Sequence, residues 1–333
     1  MSFMKHSTDL STAKTKIWLI VGAATLLGLA VFSLFVGKYP LSWEAIKSGD
    51  PMAWRVFTTL RLGRTITAVL GGFVLGVCGF VYQTVFRNPL ASPDIIGVSS
   101  GASAGAAVGI LFLSGTVAVT LSAFVGAILA VLLALGLSAL DRREKKSTIV
   151  LAGIAVHALA QTALMALKLM ADPEKELASI EYWIMGSLSD ISAYRVGGNL
   201  FLCVLCVAVL FLLHRQTLLL STEEGEARML GVSVGKTRLA VLGTATLAVS
   251  AVVSLTGLIS FIGLLAPHGA RLLTKENGIK TMLLAGLFGG GLLCGADIFA
   301  RSVAQTELPI SIFTSLLGAP FLILLVVGRR ENR

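Results

Sequence analysis

Residues 95–140 contain no aspartate, glutamate, lysine or arginine. The hydrocarbon core of a bilayer accepts about 20 apolar residues per helix, so this stretch has room for two membrane spans. A turn near residues 113–116, with the sequence LSGT, would separate them. Because lipid offers the backbone no hydrogen-bond partners, spans of this composition are predicted to be helices.

Similar stretches recur along the chain. One span each is predicted from the charge-free stretches 17–37, 65–86, 147–167, 196–214 and 308–328. Residues 281–300 add another span, interrupted only by Asp297. Residues 239–270 are too long for one span and too short for two, which predicts a full helix followed by a short or broken helix over 259–273. The expected fold class is therefore an all-α polytopic membrane protein with about ten transmembrane helices.

Composition agrees with this class. The chain has 333 residues, of which 55% are hydrophobic and 14% charged, and its mean hydropathy is +0.86. A soluble domain could not cover its surface with so few charges. The net charge of +9 does not indicate nucleic-acid binding, since lysine and arginine collect in the cytoplasmic loops of membrane proteins.

The charge bias also predicts an orientation. Most lysines and arginines face one side if both termini are cytoplasmic, as an even number of spans requires. The expected organisation is a cytoplasmic tail over 1–16, one transmembrane domain over 17–328 and a cytoplasmic tail over 329–333. No small-residue cleavage site follows the first span, which is therefore expected to be a retained helix.

The cysteines do not indicate chemistry. Cys78, Cys203, Cys206 and Cys294 all fall in apolar spans. The C-x-x-C spacing of Cys203 and Cys206 lacks a second ligand pair or a nearby histidine, so helix packing is favoured over a metal or redox site. No metal site, cofactor or disulfide framework is predicted.

Small residues spaced four apart predict close helix packing. Such pairs occur at Gly72/Gly76, Gly101/Gly105/Gly109, Gly286/Gly290 and Gly291/Gly295. They serve channels, transporters and structural proteins alike, so they do not define a function.

Polar residues inside the spans are few. His157 and Gln161, one helical turn apart, are candidates to face a cavity, although an interhelical hydrogen bond is an equal alternative. His268 follows Pro267 and is expected to mark a broken helix end. Because ionisable residues are scarce in the spans, the energy for any transport is expected to come from another subunit.

The stretch LGVSVGKTR, at 230–238, resembles a phosphate-binding loop only superficially. That loop needs G-x-x-x-x-G-K-[ST], whereas only three residues separate Gly231 from Gly235. The preceding acidic residues, a small apolar patch and the glycine instead predict a short helix outside the bilayer. Its role is either docking of a partner or a capped connection between spans.

Four arginines oppose the charge bias. Arg55, Arg61 and Arg64 precede the second span, and Arg301 follows the ninth. Either they snorkel at helix ends, or they pair with carboxylates of an acidic partner from outside.

Several motifs together resemble the FecCD-like permease subunits of ABC importers for iron–siderophore complexes, haem and cobalamin. They include RNPLASPDIIGVSSGA over 87–102, ARMLGVSVGKTR over 227–238, GLISFIGLLAPHGARLL over 257–273 and ADIFAR over 296–301. The match runs through nearly the whole chain in the family's order. It implies the type II permease fold of ABC importers, with ten helices per subunit, and a dimer with the substrate path between its subunits.

The resemblance also implies partners and site residues. A coupling segment at about 221–236 would dock a cytoplasmic ATPase through Glu224, Ala227, Leu230, Gly231, Val232 and Val234. Arg61, Arg64 and Arg301 match positions that face acidic residues of an extracytoplasmic binding protein, although Gly63 replaces the proline common in R-L-P-R. Ser147 matches the region of the inner gate.

The implied function is import of iron(III)–siderophore complexes across a bacterial cytoplasmic membrane by alternating access. Haem and cobalamin are the alternative cargoes. The second permease subunit is either another copy of this chain or a paralogue, the surrounding partner is membrane lipid, and ATP hydrolysis belongs to a separate subunit. An ion-coupled secondary transporter would need titratable groups inside the membrane, and a membrane enzyme would need a catalytic constellation; neither is apparent in the sequence.

Overall fold

The computed structural model describes residues 2–39, 41–140, 146–189, 191, 193–304 and 306–331. Side chains are not described for 2–13, 95, 146–147, 193–196, 224 and 324–331. Across the described ranges every regular element is helical.

The helices follow one another along the chain with short connections. In chain order they are α1 (Ser2–Phe35), α2 (Trp43–Lys47), α3 (Pro51–Arg55), a π-helical segment (Val56–Leu62), α4 (Gly63–Val85), a 3₁₀ turn (Pro93–Ile96), α5 (Val98–Phe112), α6 (Thr116–Ala139), α7 (Lys146–Met170), α8 (Glu176–Met185), α9 (Ala193–Leu212), α10 (His214–Leu219), α11 (Glu224–Met229), α12 (Val234–Thr256), α13 (Ile262–Thr274), α14 (Ile279–Ser302) and α15 (Ile310–Glu331).

The polytopic architecture is confirmed, but the count of ten spans is not. A helix occupies each predicted span, and six helical stretches of the described chain are long and apolar enough to cross a bilayer. Three more apolar helices are shorter, namely Val98–Phe112, Gly197–Leu212 and Ile310–Ile323. The second span also begins earlier than predicted. Helix α3 and the π-helical segment continue directly into α4, so the helical stretch starts at Pro51.

Helix α4 lies at the centre of the bundle and contacts α9, α12, α13 and α14. Its closest neighbour is α14, where a Cβ atom on Gly76 would collide with the carbonyl of Ala285 and one on Gly72 with the carbonyl of Gly289. Both obstacles are backbone atoms that cannot rotate away. Glycine spacing on α4 therefore sets the distance between the two helices, as the sequence pattern indicates for lipid-embedded helices.

The second glycine pair of α14 behaves differently. Nothing lies within 4 Å of a Cβ atom built on Gly295, and for Gly291 only Leu29 does, at 3.8 Å. The expectation that this pair packs against another helix is therefore wrong within this chain. These glycines line a wide apolar groove between α1, α14 and α15 instead.

The break predicted in the 239–273 region falls between Thr256 and Ile262. The backbone there is non-helical, with φ of +69° at Gly257, where a side chain would meet the carbonyl of Trp183. The exposed carbonyls of such a break need partners at membrane depth. Ser187 N donates to Thr256 O at 2.8 Å, and Ser311 Oγ donates to Leu258 O at 2.8 Å.

His268 does not mark this break, which corrects the sequence expectation. It lies inside α13, directly after Pro267, and the helix continues through both residues to Thr274. Its ring stands edge-on to Phe321 of α15, with 5.3 Å between ring centroids. The interruption precedes α13 because the glycine at 257 permits the backbone conformation that the break requires.

Candidate functional site

The bundle has two ends, which the contacts of α4 and α12 define. These helices run antiparallel, because Gly71 lies beside Val252 whereas Tyr82, further along α4, is 2.5 Å from the hydroxyl of Thr246. The end of α4 at Val85 therefore lies with the start of α12 and with α11, which precedes it. We term this the α11 end, and the opposite one the arginine end.

Five charged residues meet at the arginine end: Arg61, Arg64, Asp297, Arg301 and Glu307. Arg64 Nε donates to Asp297 Oδ1 at 2.7 Å, and its Nη1 donates to Glu307 Oε2 at 2.9 Å. Arg301 Nε lies 3.4 Å from Asp297 Oδ2. Arg61 is close enough to interact electrostatically with the other four. We term this group the arginine cluster; it holds three cations and two carboxylates.

Most residues of the arginine cluster are buried. Arg61, Arg64 and Arg301 are 6%, 7% and 3% exposed, and Asp297 is fully buried. The sequence analysis named these three arginines as candidates to pair with carboxylates of an acidic partner. The structure does bring them together, but each faces groups of its own chain, so their role in docking stays a prediction. Arg55, at the end of α3, is exposed.

Several guanidinium groups of the cluster use backbone acceptors. Arg301 Nη2 donates to the carbonyl of Ser33 at 2.8 Å, and Arg61 Nη2 donates to the carbonyl of Tyr39 at 3.1 Å. Arg61 Nη1 and Arg301 Nη1 are buried and find no hydrogen-bond partner in the described part of the chain. Leaving a buried donor unpaired is costly, and the cluster leaves both of these donors without an acceptor among the described residues.

The short helix expected before LGVSVGKTR is present as α11, at the other end of the bundle. Ala227 is 1% exposed and anchors the helix, whereas Met229 and Leu230 are 82% and 63% exposed. Gly231, with φ of +80°, turns the chain, and Val232 N donates to Ala227 O at 3.0 Å. The segment thus presents an apolar tip on a closed turn.

Two further predicted coupling residues flank this tip. Val234 is buried at the first position of α12. Glu224 begins α11, but its side chain lies outside the described residues. The exposed tip thus lies between two buried residues, Ala227 on α11 and Val234 on α12, and its role in coupling stays a prediction.

A cavity of about 560 Å³ opens beside α11. It lies between α6, the start of α7 and the start of α12, and its lining includes Ile149, Arg228, Lys236 and Arg238. Ser147, the predicted inner-gate residue, precedes Ile149 by two positions on α7, but its side chain is outside the described residues. The gate assignment stays a prediction.

His157 and Gln161 share one face of α7. His157 is exposed and Gln161 half-buried in the isolated chain, and neither makes a hydrogen bond to another described residue. Exposed leucines and isoleucines surround them on the same helix, such as Ile154 and Leu159. The arrangement leaves both polar groups open to a partner surface or a cavity, which was one of the two sequence alternatives.

Sequence reasoning missed Asp94. It lies on the 3₁₀ turn before α5, where Ser99 donates to one carboxylate oxygen and Ser92 to the other. Together with Ser260 and Phe261 of the non-helical break, these residues line a recess of about 250 Å³. The sequence signal that could have identified Asp94 is the neighbouring Pro93, which interrupts the helix pattern ahead of the charge-free stretch.

The comparisons with known proteins agree on one family. The model of the FecCD transport family matches residues 25–328. A cobalamin import system permease of Halobacterium salinarum is 34% identical over 95% of this chain and 87% of its own length. An achromobactin transport system permease of Dickeya dadantii is 36% identical over 93% of this chain and 92% of its own. Other relatives are named for hemin and molybdate transport.

A solved structure shares the whole fold. It is described as an inward-facing conformation of a metal-chelate type ABC transporter, has a TM-score of 0.86 and 32% sequence identity, and covers 93% of this chain and 98% of its own. The order of helices, the break before α13 and the family match over nearly the full length lead to the same conclusion. This chain belongs to the FecCD transport family, whose members are permease subunits of ABC importers.

Proposed function

We propose that this chain carries iron(III)–siderophore complexes across the cytoplasmic membrane by alternating access, with both of its termini inside the cell. It would work as one of two permease subunits, beside a second copy or a paralogue, with ATPase subunits at the α11 end and a binding protein at the arginine end. Closure of the ATPase subunits on ATP would move α11 and rock the two bundles about a path between them.

The observation that carries this proposal is the form of the α11 tip. Met229 and Leu230 expose large apolar side chains just outside the region where helices meet lipid, although water is an unfavourable neighbour for them. A partner that covers this tip would gain buried apolar area. Because Ala227 and Val234 are buried beside it, the partner would be mechanically connected to α12.

The cargo assignment rests on relatives and on the character of the recesses. A relative named for achromobactin transport and a neighbour described as metal-chelate type favour a metal chelate. The large grooves of the chain are lined by small and apolar residues, which suit a bulky cargo that must be released. Haem and cobalamin are the other candidates, because relatives named for hemin and cobalamin transport also match nearly the full length.

The assignment of the arginine end rests on charge. A cluster of three arginines and two carboxylates carries a net positive charge, which is complementary to an acidic side chain of a binding protein. Arginine pairs carboxylates in a two-pronged geometry that also fixes the orientation of the partner.

Uptake by reconstituted vesicles tests the function. The chain would be inserted with its ATPase and binding protein, and ATP-dependent uptake of radiolabelled iron–siderophore, haem and cobalamin compared in the same preparation. We expect accumulation of the iron–siderophore complex and little of the other two. Preferential uptake of cobalamin or haem would transfer the assignment to that cargo, and uptake of all three without the ATPase would refute the importer mechanism.

A further inference from the structure

The two carboxylates of the arginine cluster occupy different environments. Asp297 is fully buried on α14 and lies within 3.4 Å of both Arg64 and Arg301. The Glu307 side chain is 29% exposed, and among the described residues its ion pair is with Arg64, at 2.9 Å. Water therefore reaches the Glu307 pair but not the Asp297 pair. Of the two acceptors of Arg64, Glu307 is the one that a solvent-borne carboxylate can replace.

Glu307 also lies in the connection between α14 and α15. It precedes α15, which begins at Ile310. Near it, the segment between α14 and α15 is held by the hydrogen bond from Leu308 N to Ala300 O and by that from Ile310 N to Gly186 O, both 3.0 Å long. Releasing Glu307 would remove its tie to Arg64 of α4 and leave the segment on these two backbone hydrogen bonds.

The arginine cluster has a net positive charge, so it can accept a further anion. Three arginines face two carboxylates, and Arg61 Nη1 and Arg301 Nη1 are buried donors without an acceptor among the described residues. Both donors are buried, so an incoming carboxylate would not meet them directly; it would add negative charge beside them after it reaches Arg64 on the side that Glu307 covers. The net positive charge of the cluster thus favours a partner's carboxylate.

We propose that Glu307 is an internal stand-in for a carboxylate of the binding protein, and that docking exchanges one for the other on Arg64. The exchange keeps the docking site closed and charge-paired while the binding protein is absent, and it releases the segment leading to α15 when the binding protein arrives. This inference rests on the proposed docking at the arginine end and adds the group that competes for it.

Removing the competitor should strengthen docking. We would measure the dissociation constant of the binding protein that supports uptake, against the permease–ATPase complex in lipid nanodiscs, for the wild type and Glu307→Gln. A partly exposed ion pair contributes about 0.2–1 kcal/mol, which corresponds to a dissociation constant lowered by a factor of about 1.4 to 5 in Glu307→Gln. A merely structural role of Glu307 would leave the affinity unchanged or weaken it, and either result would overturn the exchange.

Glu181→Gln is the matched control. Glu181 is also a partly exposed carboxylate in an ion pair, 2.9 Å from Lys168, but it lies outside the arginine cluster. Its removal should leave the affinity unchanged. An equal gain in both variants would show a general effect of net charge and would contradict the proposal.

Arg64→Lys separates the exchange from the docking assignment. Lysine keeps a cation beside Asp297 but loses the two-pronged geometry, so it should weaken binding. Weaker binding in Arg64→Lys with no gain in Glu307→Gln would overturn the exchange alone. No change in either variant would overturn docking at the arginine end itself.

A spin label gives a second readout without the binding protein. The four native cysteines are buried, so Thr306→Cys, at an exposed position, can be labelled selectively. If Glu307 restrains the segment, the label should be more mobile in the Glu307→Gln background than in the wild type. Equal mobility in the two backgrounds would show that Glu307 is not the restraint.

Discussion

At the scale of single residues, Asp297 determines whether the arginine cluster can be buried. It is fully buried between Arg64 and Arg301. Removing one partner of a buried ion pair leaves uncompensated charge and costs about 3–5 kcal/mol. We therefore expect Asp297→Ala to lower the free energy of unfolding by about that amount, measured by denaturant titration of the detergent-solubilised chain.

The exposed pair at Lys168 provides the comparison. Glu181→Ala removes an ion pair of 2.9 Å, comparable to the 2.7 Å pair of Asp297 with Arg64, but water solvates both of its partners. Exposed pairs contribute at most about 1 kcal/mol, so this variant should unfold almost as the wild type does. Similar losses in the two variants would show that burial of the arginine cluster does not set its contribution.

The sequence could name the arginines but not their partners. Arg61, Arg64 and Arg301 stand out because they oppose the charge bias of the loops. The acceptors of Arg64 are 233 and 243 positions away, at Asp297 and Glu307, and no local pattern connects residues so distant. The opposite holds for α11, whose glycine turn and apolar tip are local features and were predicted.

At the scale of helices, contact between α4 and α14 depends on glycine. Gly76→Ala would place a methyl group against the carbonyl of Ala285, and neither backbone can yield without moving its helix. Overpacking costs about 1–3 kcal/mol, so the melting temperature of the purified chain should fall. Gly295→Ala is the matched control, because nothing lies within 4 Å of its added methyl group. A larger loss at Gly295 than at Gly76 would contradict this account of the packing.

The α11 tip supports a second prediction at this scale. Leu230→Ser should weaken binding of the ATPase subunits at least tenfold, because the exposed leucine is the apolar contact that the partner would cover. Stability should be unchanged, since the side chain is 63% exposed. Met52→Ser, at the arginine end and with 55% exposure, is the control. We would compare how much ATPase each variant retains in a pull-down. Equal retention by the two variants would show that Leu230 is not part of the interface.

Helix prediction succeeded where composition alone determines the outcome. Charge-free stretches of bilayer length place α6, α7 and α14 to within a few residues of their observed ends. Helix α8 was not predicted, because residues 176–185 carry acidic residues and the helix rests on contacts with α5 and α15. The π-helical segment was missed too, since its register depends on neighbours rather than on sequence period.

At the scale of the whole molecule, the charge distribution bears on how transport is driven. Proton-coupled transporters carry carboxylates or histidines that titrate inside the membrane. In the six long apolar stretches of the described chain, Asp297 is the sole carboxylate, and it is held between two arginines. Asp94, on the 3₁₀ turn before α5, and His157, on α7, are two titratable groups outside the arginine cluster, and both are exposed in the isolated chain.

An ATP-driven importer should therefore be insensitive to the proton gradient. In vesicles containing the chain, ATPase and binding protein, we expect uptake to continue when an ionophore collapses the gradient and to stop when vanadate blocks the ATPase. The variant Asp94→Asn/His157→Gln should keep ATP-dependent uptake, because neither group needs to change protonation during the cycle. Loss of uptake on adding the ionophore, together with inactivity of this variant, would instead make Asp94 and His157 a proton path and the chain an ion-coupled transporter.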